Sequence, residues 1–378
     1  MNRKRVVIAG LGDTGVLTAI RLARRFDVVG ISLNSGLVSG QELGTRLARP
    51  DDWARNYWIA FDRFRELDRV RTVHGTVTGV DLAARTVRVR DAHGSSREEG
   101  YDALVVSTGV TNGFWRQAVL QSAGDVGAGL RAAHERLASA RSVAVIGGGA
   151  AAVSSAANIA VRWPGIRVEL YFPGEHVLPH HHWRARKRIE GRLAAAGVTL
   201  YPGHRALVPD GFDCSAITSE PVSWSTGQPP VQADAVLWTI GRVRPNTAWL
   251  PDELLDDGGF VRVTPELRVP GHDGVFAVGD VAATDPLRSS ARNRADGLLA
   301  RNVAAYFTGG RMRSYRPPSR RWGSVLGVQP DGLEVFAPNG LAFRFPAWSI
   351  ERVLQPWIVR RGIYRGVRPG NRPIVTNG

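Results

Sequence analysis

Apolar positions along the chain fall into one order used twice: a short run of strand length, a turn of glycines, then a segment with helical spacing. Val6-Val7-Ile8-Ala9 is the first run, and Gly10-Leu11-Gly12-Asp13-Thr14-Gly15 ends it. Apolar residues then recur at Leu17, Ile20, Leu22 and Ala23, which predicts a helix over 16–26. The next apolar stretch, 28–33, lies where the second parallel strand of a βαβ unit belongs. The order returns as a strand over 142–146, the turn Gly147-Gly148-Gly149-Ala150-Ala151-Ala152, a helix over 153–161 and a strand over 167–172. So long a period implies two domains rather than a stacked array of small repeats.

The stretches between carry weaker patterns. Residues 41–69, rich in arginine and tryptophan, read as loop with a short helix, whereas 70–89 alternates as strands with a turn near Asp81. A buried-type strand over 101–106 ends on Ser107-Thr108-Gly109, and a later one over 235–238 ends in the same way on Thr239-Ile240-Gly241. Gly274-Val275-Phe276-Ala277-Val278-Gly279-Asp280 predicts a short buried strand closing on a carboxylate, with a helix-like segment over 294–307 behind it. Residues 311–378 form a distinct tail punctuated by Pro317, Pro318, Pro330 and Pro338.

Composition narrows what these elements can be. At roughly 150 residues per domain, 378 residues hold two ordinary cores and a smaller addition. With 43% hydrophobic and 22% charged residues the chain is of globular type. No run reaches the ~18–20 apolar residues of a membrane-spanning helix, and Met1-Asn2-Arg3-Lys4-Arg5 leads directly into a strand instead of a signal-peptide core. A cytoplasmic location is the expectation. The single cysteine, Cys214, excludes an internal disulfide and any Cys-x-x-Cys redox pair. The net charge of +15 suits an anionic partner, yet only Lys4 and Lys187 are lysines and the arginines are spread through every segment. Charge so diffuse favours no nucleic-acid partner.

The glycine turns carry the chemistry. A tight strand-to-helix turn aims backbone N–H groups and the positive end of a helix dipole at one spot, and glycine lets a pyrophosphate come close. Gly10, Gly12 and Gly15 fill all three positions of the dinucleotide pattern, and Gly147, Gly149 and Ala152 repeat it. The pattern also asks for an acid about 20 residues on, to hydrogen-bond a ribose diol. That place falls on Asn34, or on Ser32 if the register slips, and each can accept a hydrogen bond without charge. In the second unit the strand runs out at Phe172-Pro173 with His176 and several arginines nearby, so no carboxylate repels a 2′-phosphate and the balance leans from NADH toward NADPH. Asp13 within the first turn would repel a pyrophosphate unless it caps the helix.

Two such units, two strands ending on small-residue turns and a final Gly279-Asp280 resemble the flavoproteins with two dinucleotide-binding domains, the pyridine nucleotide-disulfide oxidoreductase fold, over residues 5 to about 310. Lacking a redox disulfide, and with a tail that begins at Tyr315-Arg316-Pro317 and contains Leu326-Gly327, the chain is most similar to type II NADH dehydrogenases and the apoptosis-inducing-factor-like quinone reductases. The resemblance implies an α/β fold of two Rossmann-like domains. A discontinuous FAD-binding domain would span 1–113 and 245–310, an NAD(P)H-binding domain 114–244, and a C-terminal interface or membrane-contact region 311–378. It implies that Gly10, Gly12, Thr14 and Gly15 hold the FAD pyrophosphate near Asn34, that Ser107, Thr108 and Gly109 line the flavin nucleotide, and that Gly279 and Asp280 meet its ribitol or phosphate side. Gly147, Gly149 and Ala152 would hold NADPH or NADH, with Thr239 and Gly241 near the crossing of the domains. Ser154 stands where many relatives place a glutamate that orients the nicotinamide.

The implied activity is hydride transfer from NAD(P)H to flavin, then electron transfer to an external acceptor: a quinone in the first reading, a ferredoxin or other protein in the second. A third reading keeps the fold for NAD(P)H sensing or nucleic-acid binding without turnover. His180-His181-His182 reads as a solvated loop, since three consecutive histidines do not readily face one metal ion. In the tail, residues 345–365 mix Trp348, Ile350, Val353, Leu354, Trp357 and Ile358 with Arg352, Arg360, Arg361 and Arg365. Such a mixture suits an anionic membrane surface, or packing on the flavin domain or a twin subunit, and Pro356 is expected to interrupt a long helix.

Overall fold

The computed structural model describes residues 3–38, 43–113, 117–240, 243–285, 295–317 and 322–370. Strand β1 (Arg5–Ala9) is fully buried past Arg5, as expected of a parallel strand covered on both faces. Helix α1 (Asp13–Leu22) starts directly after Gly12 and stops before Arg24, so it is shorter at its end and earlier at its start than the apolar spacing predicts. The chain must turn there to bring β2 (Asp27–Ser32) into parallel register with β1, where Arg5 faces Asp27. The segment expected to be mainly loop is more ordered. Strands β3 (Gly36–Val38) and β4 (Trp58–Ala60) pair antiparallel, and α2 (Leu43–Ala48) and α3 (Pro50–Tyr57) lie between them. Pro50 opens α3, a position where its missing N–H is harmless, and Trp53 is wholly buried.

Strand β5 (Val70–His74) joins the first sheet, followed by an antiparallel meander of β6 (Thr76–Asp81), β7 (Thr86–Arg90) and β8 (Ser96–Gly100). The sequence Ser-Arg-Glu-Glu-Gly of β8 has no apolar alternation; pairing with β7 alone makes it a strand. Strand β9 (Ala103–Val106) returns beside β1, and the two-residue β10 (Val110–Thr111) leaves the module.

The second module opens with α4 (Ala123–Ala138), whose first turn is closed by reciprocal Ser122–Asp125 hydrogen bonds. It continues through β11 (Ser142–Ile146), α5 (Ala150–Arg162), β12 (Arg167–Tyr171), α6 (Trp183–Ala195), β13 (Thr199–Tyr201) and β14 (Ala235–Trp238). Helix α5 begins at Ala150 rather than 153, because the glycine turn delivers the chain straight into it. Strand β15 (Arg244–Pro245) pairs antiparallel with β10, so the two chain crossings lie side by side. Beyond them β16 (Val275–Ala277) rejoins the first sheet and α7 (Asp296–Thr308) packs on α1. The result is two parallel sheets, in order β16-β9-β1-β2-β5 and β13-β12-β11-β14, the first built from chain on both sides of the second.

The tail adds an antiparallel sheet of β17 (Gly323–Gln329), β18 (Gly332–Phe336) and β19 (Ala342–Phe345), with Val325, Leu326 and Phe336 in the same apolar core as α5. A helical segment follows through Ala347–Ser349 and Ile350–Ile363. It does not break at Pro356. Its wide turns, such as that closed by the Tyr364 N–H on the Val359 carbonyl, leave room for the ring.

Candidate functional site

The first turn is fixed from both sides. Gly10 has a φ of +102°, its N–H donates to the Ile31 carbonyl, and a Cβ on it would sit 2.4 Å from the Ser107 carbonyl oxygen. Ser107 Oγ donates back to the Gly10 carbonyl at 2.7 Å, so the end of β9 locks the turn. Gly15 is closed in, with a hypothetical Cβ 2.0 Å from the Gly10 oxygen, whereas one on Gly12 would meet nothing within 4 Å. Gly12 is itself the helix cap; Asp13 follows it in the first turn, where a carboxylate complements the dipole.

Gly12 opens on a cavity of about 690 Å³, within the range of roughly 300–1,000 Å³ usual for ligand sites. Gly10, Gly12, Asp13, Thr14, Ser32, Asn34, Ser107, Thr108, Gly109, Gly279 and Asp280 all line it. So do residues with no sequence signal: Arg46 and Leu47 of α2, Val126 and Leu130 of α4, and Asn246 and Trp249 after β15. Asn246 ties the crossings together. Its carbonyl accepts from Thr108 Oγ1 at 2.8 Å, its Nδ2 donates to the Thr108 carbonyl at 3.0 Å, and its Oδ1 accepts from Thr111 Oγ1 at 2.8 Å. Asn34 donates its N–H to Ser32 Oγ at 3.2 Å, while its Oδ1 is buried with no hydrogen-bond partner in the protein. Desolvation lowers the Arg46 guanidinium to about 10, which leaves it charged at neutral pH.

The second turn repeats the backbone of the first. Gly147 has a φ of +135° and donates to the Tyr171 carbonyl, and Thr239 Oγ1 donates to the Ile146 carbonyl at 2.6 Å as Ser107 does in the first module. Gly149 caps α5 and is exposed, Ala152 is buried, and Gly241 lies outside the described residues. Ser154 is buried beneath α2, where a Cβ on Gly44 would come within 2.2 Å of its carbonyl oxygen; it does not line the cavity. The loop after β12 folds back over this turn, with the Leu178 N–H donating to Gly148 at 2.6 Å. His176 pairs with Glu190 at 3.2 Å and His182 caps α6 by accepting from the Arg184 N–H. Among the described residues no three His, Cys, Asp or Glu side chains are grouped to hold a metal. Cys214 is buried, and burial pushes its thiol up, away from the reactive thiolate.

Two parallel sheets, each with a glycine turn at its first strand, and a double crossing between them define a two-domain dinucleotide-binding oxidoreductase. The match of residues 4–305 to the model of the pyridine nucleotide-disulphide oxidoreductases makes the chain a member of that family. It is 26% identical to an oxidoreductase, ptaL, of Pestalotiopsis fici, over 93% of this chain and 95% of that one. It is 25% identical to the type II NADH:quinone oxidoreductase Ndh of Mycobacterium tuberculosis, over 81% of this chain and 73% of the other. Among solved structures, the sulfide:quinone oxidoreductase of Aquifex aeolicus superposes with a TM-score of 0.71, at 14% identity over 97% of this chain and 93% of that one.

The cofactors of the family are FAD and NAD(P)H, and the residues present fit the first. The open space at Gly12 leaves room for a diphosphate, and the unpartnered Asn34 Oδ1 offers an acceptor to a ribose hydroxyl.

Proposed function

We propose that this oxidoreductase passes electrons from NAD(P)H through FAD to a quinone-like acceptor. The carrying observation is the pairing of a cavity of about 690 Å³ on the first glycine turn with a second glycine turn of the same backbone geometry, in a chain with no second cysteine. On this reading residues 1–113 and 245–310 hold the prosthetic group, 114–244 hold the exchangeable nucleotide, and 311–378 face the acceptor. Bound FAD supplies the ability to take a hydride and release electrons onward.

The protein's part is binding and placement. Backbone N–H groups after Gly10 and Gly12 receive the diphosphate, with Thr14 and Gly15 shaping the turn; Asn34 accepts from the ribose. Ser107, Thr108 and Gly109, tied to Asn246 through Thr108, would line the flavin end, and Gly279 and Asp280 would hold the ribitol or phosphate side. Gly147, Gly149, Ala152 and Thr239 shape the second nucleotide site, with Gly241 following in sequence and Ser154 holding α5 close under α2.

The quinone is supported by the names of two similar proteins and by the tail. One side of its helix packs on the first module, where Tyr364 meets Phe64 edge-on at 5.2 Å between centroids. The other side exposes Trp348 (62%), Trp357 (58%) and Ile358 (49%) beside Arg352 and Arg361. Among the described residues no helix is long and apolar enough to cross a membrane, so this face would rest on an anionic bilayer surface and receive a lipid-soluble acceptor from it.

The test is optical. Purified protein should be yellow, bleach under anaerobic NADPH or NADH, and recover colour with a short-chain quinone. A colourless protein that takes up no FAD overturns the redox reading. Recovery only with a ferredoxin, in a salt-dependent manner, moves the acceptor to an acidic protein.

A further inference from the structure

The loop between β12 and α6 closes over the second glycine turn, and the tail holds that loop from outside. Leu178 lies in the left-handed region at a φ of +57°, which a residue with a side chain adopts only where its surroundings hold it there. Its N–H donates to the Gly148 carbonyl at 2.6 Å, and its own carbonyl accepts from the His181 N–H at 2.9 Å. The next residue, His182, ends the loop by capping α6, with Nδ1 accepting from the Arg184 N–H at 3.2 Å. Beside the Gly148 contact the turn stays open. A Cβ on Gly149 would meet nothing within 4 Å, which leaves room for a diphosphate at the start of α5.

The β18–β19 hairpin reaches this loop with its tip. Gly340 is buried in the hairpin turn at a φ of +80°, with its N–H on the Ala337 carbonyl. A Cβ on it would lie 2.5 Å from His182 Nδ1, the atom that caps α6, and 3.0 Å from Arg184 Cβ. Ion pairs fix the hairpin in that approach. Arg184, Arg188 and Arg192 follow one another at four-residue spacing and so share one face of α6. Arg188 Nε donates to Glu334 at 2.6 Å, Arg192 holds Asp331 with two hydrogen bonds at 2.8 and 3.0 Å, and Arg344 of β19 meets Asp331 at 3.1 Å. Glu334 is buried, so parting it from Arg188 would leave a charge away from water without a close partner. Resting on the reading that the second turn takes NAD(P)H, we propose that Gly340 is a positioning residue for nucleotide binding. It lets the tail press directly on His182, and through His182 it keeps the loop over 173–182 seated on Gly148.

Full-length, FAD-loaded protein and its Gly340→Ala, His182→Ala and doubly substituted variants are titrated with NADP+ and NAD+ by calorimetry, and flavin reduction is followed in stopped flow over a range of NADPH and NADH. Gly227→Ala, in an exposed turn of the same module at a φ of +89° with nothing within 4 Å, controls for backbone strain alone. Gly340→Ala should weaken nucleotide binding roughly three- to tenfold. The half-saturating NAD(P)H should rise to match, while the limiting rate of reduction, the flavin content and the KM for a short-chain quinone stay those of the wild type. Gly227→Ala should bind nucleotide as the wild type does. In the double variant the added methyl meets no ring, so binding should be no weaker than in His182→Ala alone. Asp331→Asn, which loosens the hairpin without inserting an atom, should shift affinity the same way by a smaller factor and carries the test if Gly340→Ala does not fold. Unchanged nucleotide affinity in Gly340→Ala, or in Asp331→Asn where that variant stands in, overturns the proposal even if thermal stability falls. So do losses at Gly340 and His182 that simply multiply, and an equal loss in Gly227→Ala. A wild-type protein that binds neither nucleotide defeats the reading of the second turn itself, a result distinct from a wild type that binds and variants that do not differ from it.

Discussion

The two glycine turns are built alike and placed differently. In each module an aspartate just before a later parallel strand, β9 or β14, accepts from the backbone at the start of the first, β1 or β11. Asp102 takes the Arg5 N–H at 2.7 Å, and Asp234 takes those of Arg141 and Ser142 at 2.8 and 3.1 Å. In each, a hydroxyl after that later strand ties back to the first, from Ser107 or Thr239. The first turn, however, borders a cavity walled by α2, α4 and the crossing at Asn246, to which the second turn contributes no residue, although the glycine that caps each helix, Gly12 or Gly149, is exposed. A shared backbone device thus stands in two different surroundings, and on the function proposed above those surroundings separate the retained ligand from the exchangeable one.

Exchanging the same substitution between the turns breaks this comparison most sharply. Gly12→Asp adds a carboxylate where the protein leaves free space, so the fold should survive while like charge excludes the diphosphate. We expect a colourless protein with FAD binding weakened at least ~100-fold. Gly149→Asp, also unobstructed, should stay yellow and reducible by dithionite but show a KM for NAD(P)H raised at least about tenfold. Absorbance spectra and steady-state kinetics of the pair decide. If both lose flavin, the assignment of the two turns is wrong.

Next in size is the contact that holds the modules together. Gly44→Ala would drive a methyl group into the Ser154 carbonyl, and overpacking of this kind costs about 1–3 kcal/mol. Thermal unfolding should show the loss, with the NAD(P)H KM rising as α5 shifts. Asn34→Asp restores the charge the ribose position lacks and should tighten FAD by several-fold, about 1 kcal/mol, read by flavin release on dilution.

The smallest effect is on acid stability. Backbone N–H donation from Arg141 holds Asp234 below the ordinary carboxylate range. At Asp102 burial works the other way, but the Arg5 N–H and the Lys4 ammonium outweigh it and the carboxyl is again lowered. A carboxylate depressed in the folded state contributes stability above its unfolded pKa and loses it as pH falls through the folded value. Asp234→Asn and Asp102→Asn should therefore be most harmful at neutral pH and converge on the wild type in acid, in denaturant titrations across that range.

Much of this was legible in the chain. Short, valine- and isoleucine-rich apolar runs such as 6–9 and 143–146, each closed by a glycine turn, suit strands covered on both faces and mark the strand–turn–helix unit. Asn34 followed from the spacing of that frame, Ser107 and Asp280 from the family resemblance, and all three line the cavity. The meander strand β8 and the helix through Pro356 were not legible, since pairing with β7 and wide turns packed on Phe64 override local preference there.

By itself, the sequence determined the local units, because strand, turn and helix are set by which residues stand two, three or four apart and by where glycine relieves the backbone. It also excluded an internal disulfide, by counting one cysteine. Tertiary structure alone decided that α2 and α4 close over the first turn, that Ser154 packs beneath Gly44 instead of facing the cavity, and that Arg46 and Asn246 join the site. Those placements depend on contacts between residues far apart in the chain, and no periodicity records them.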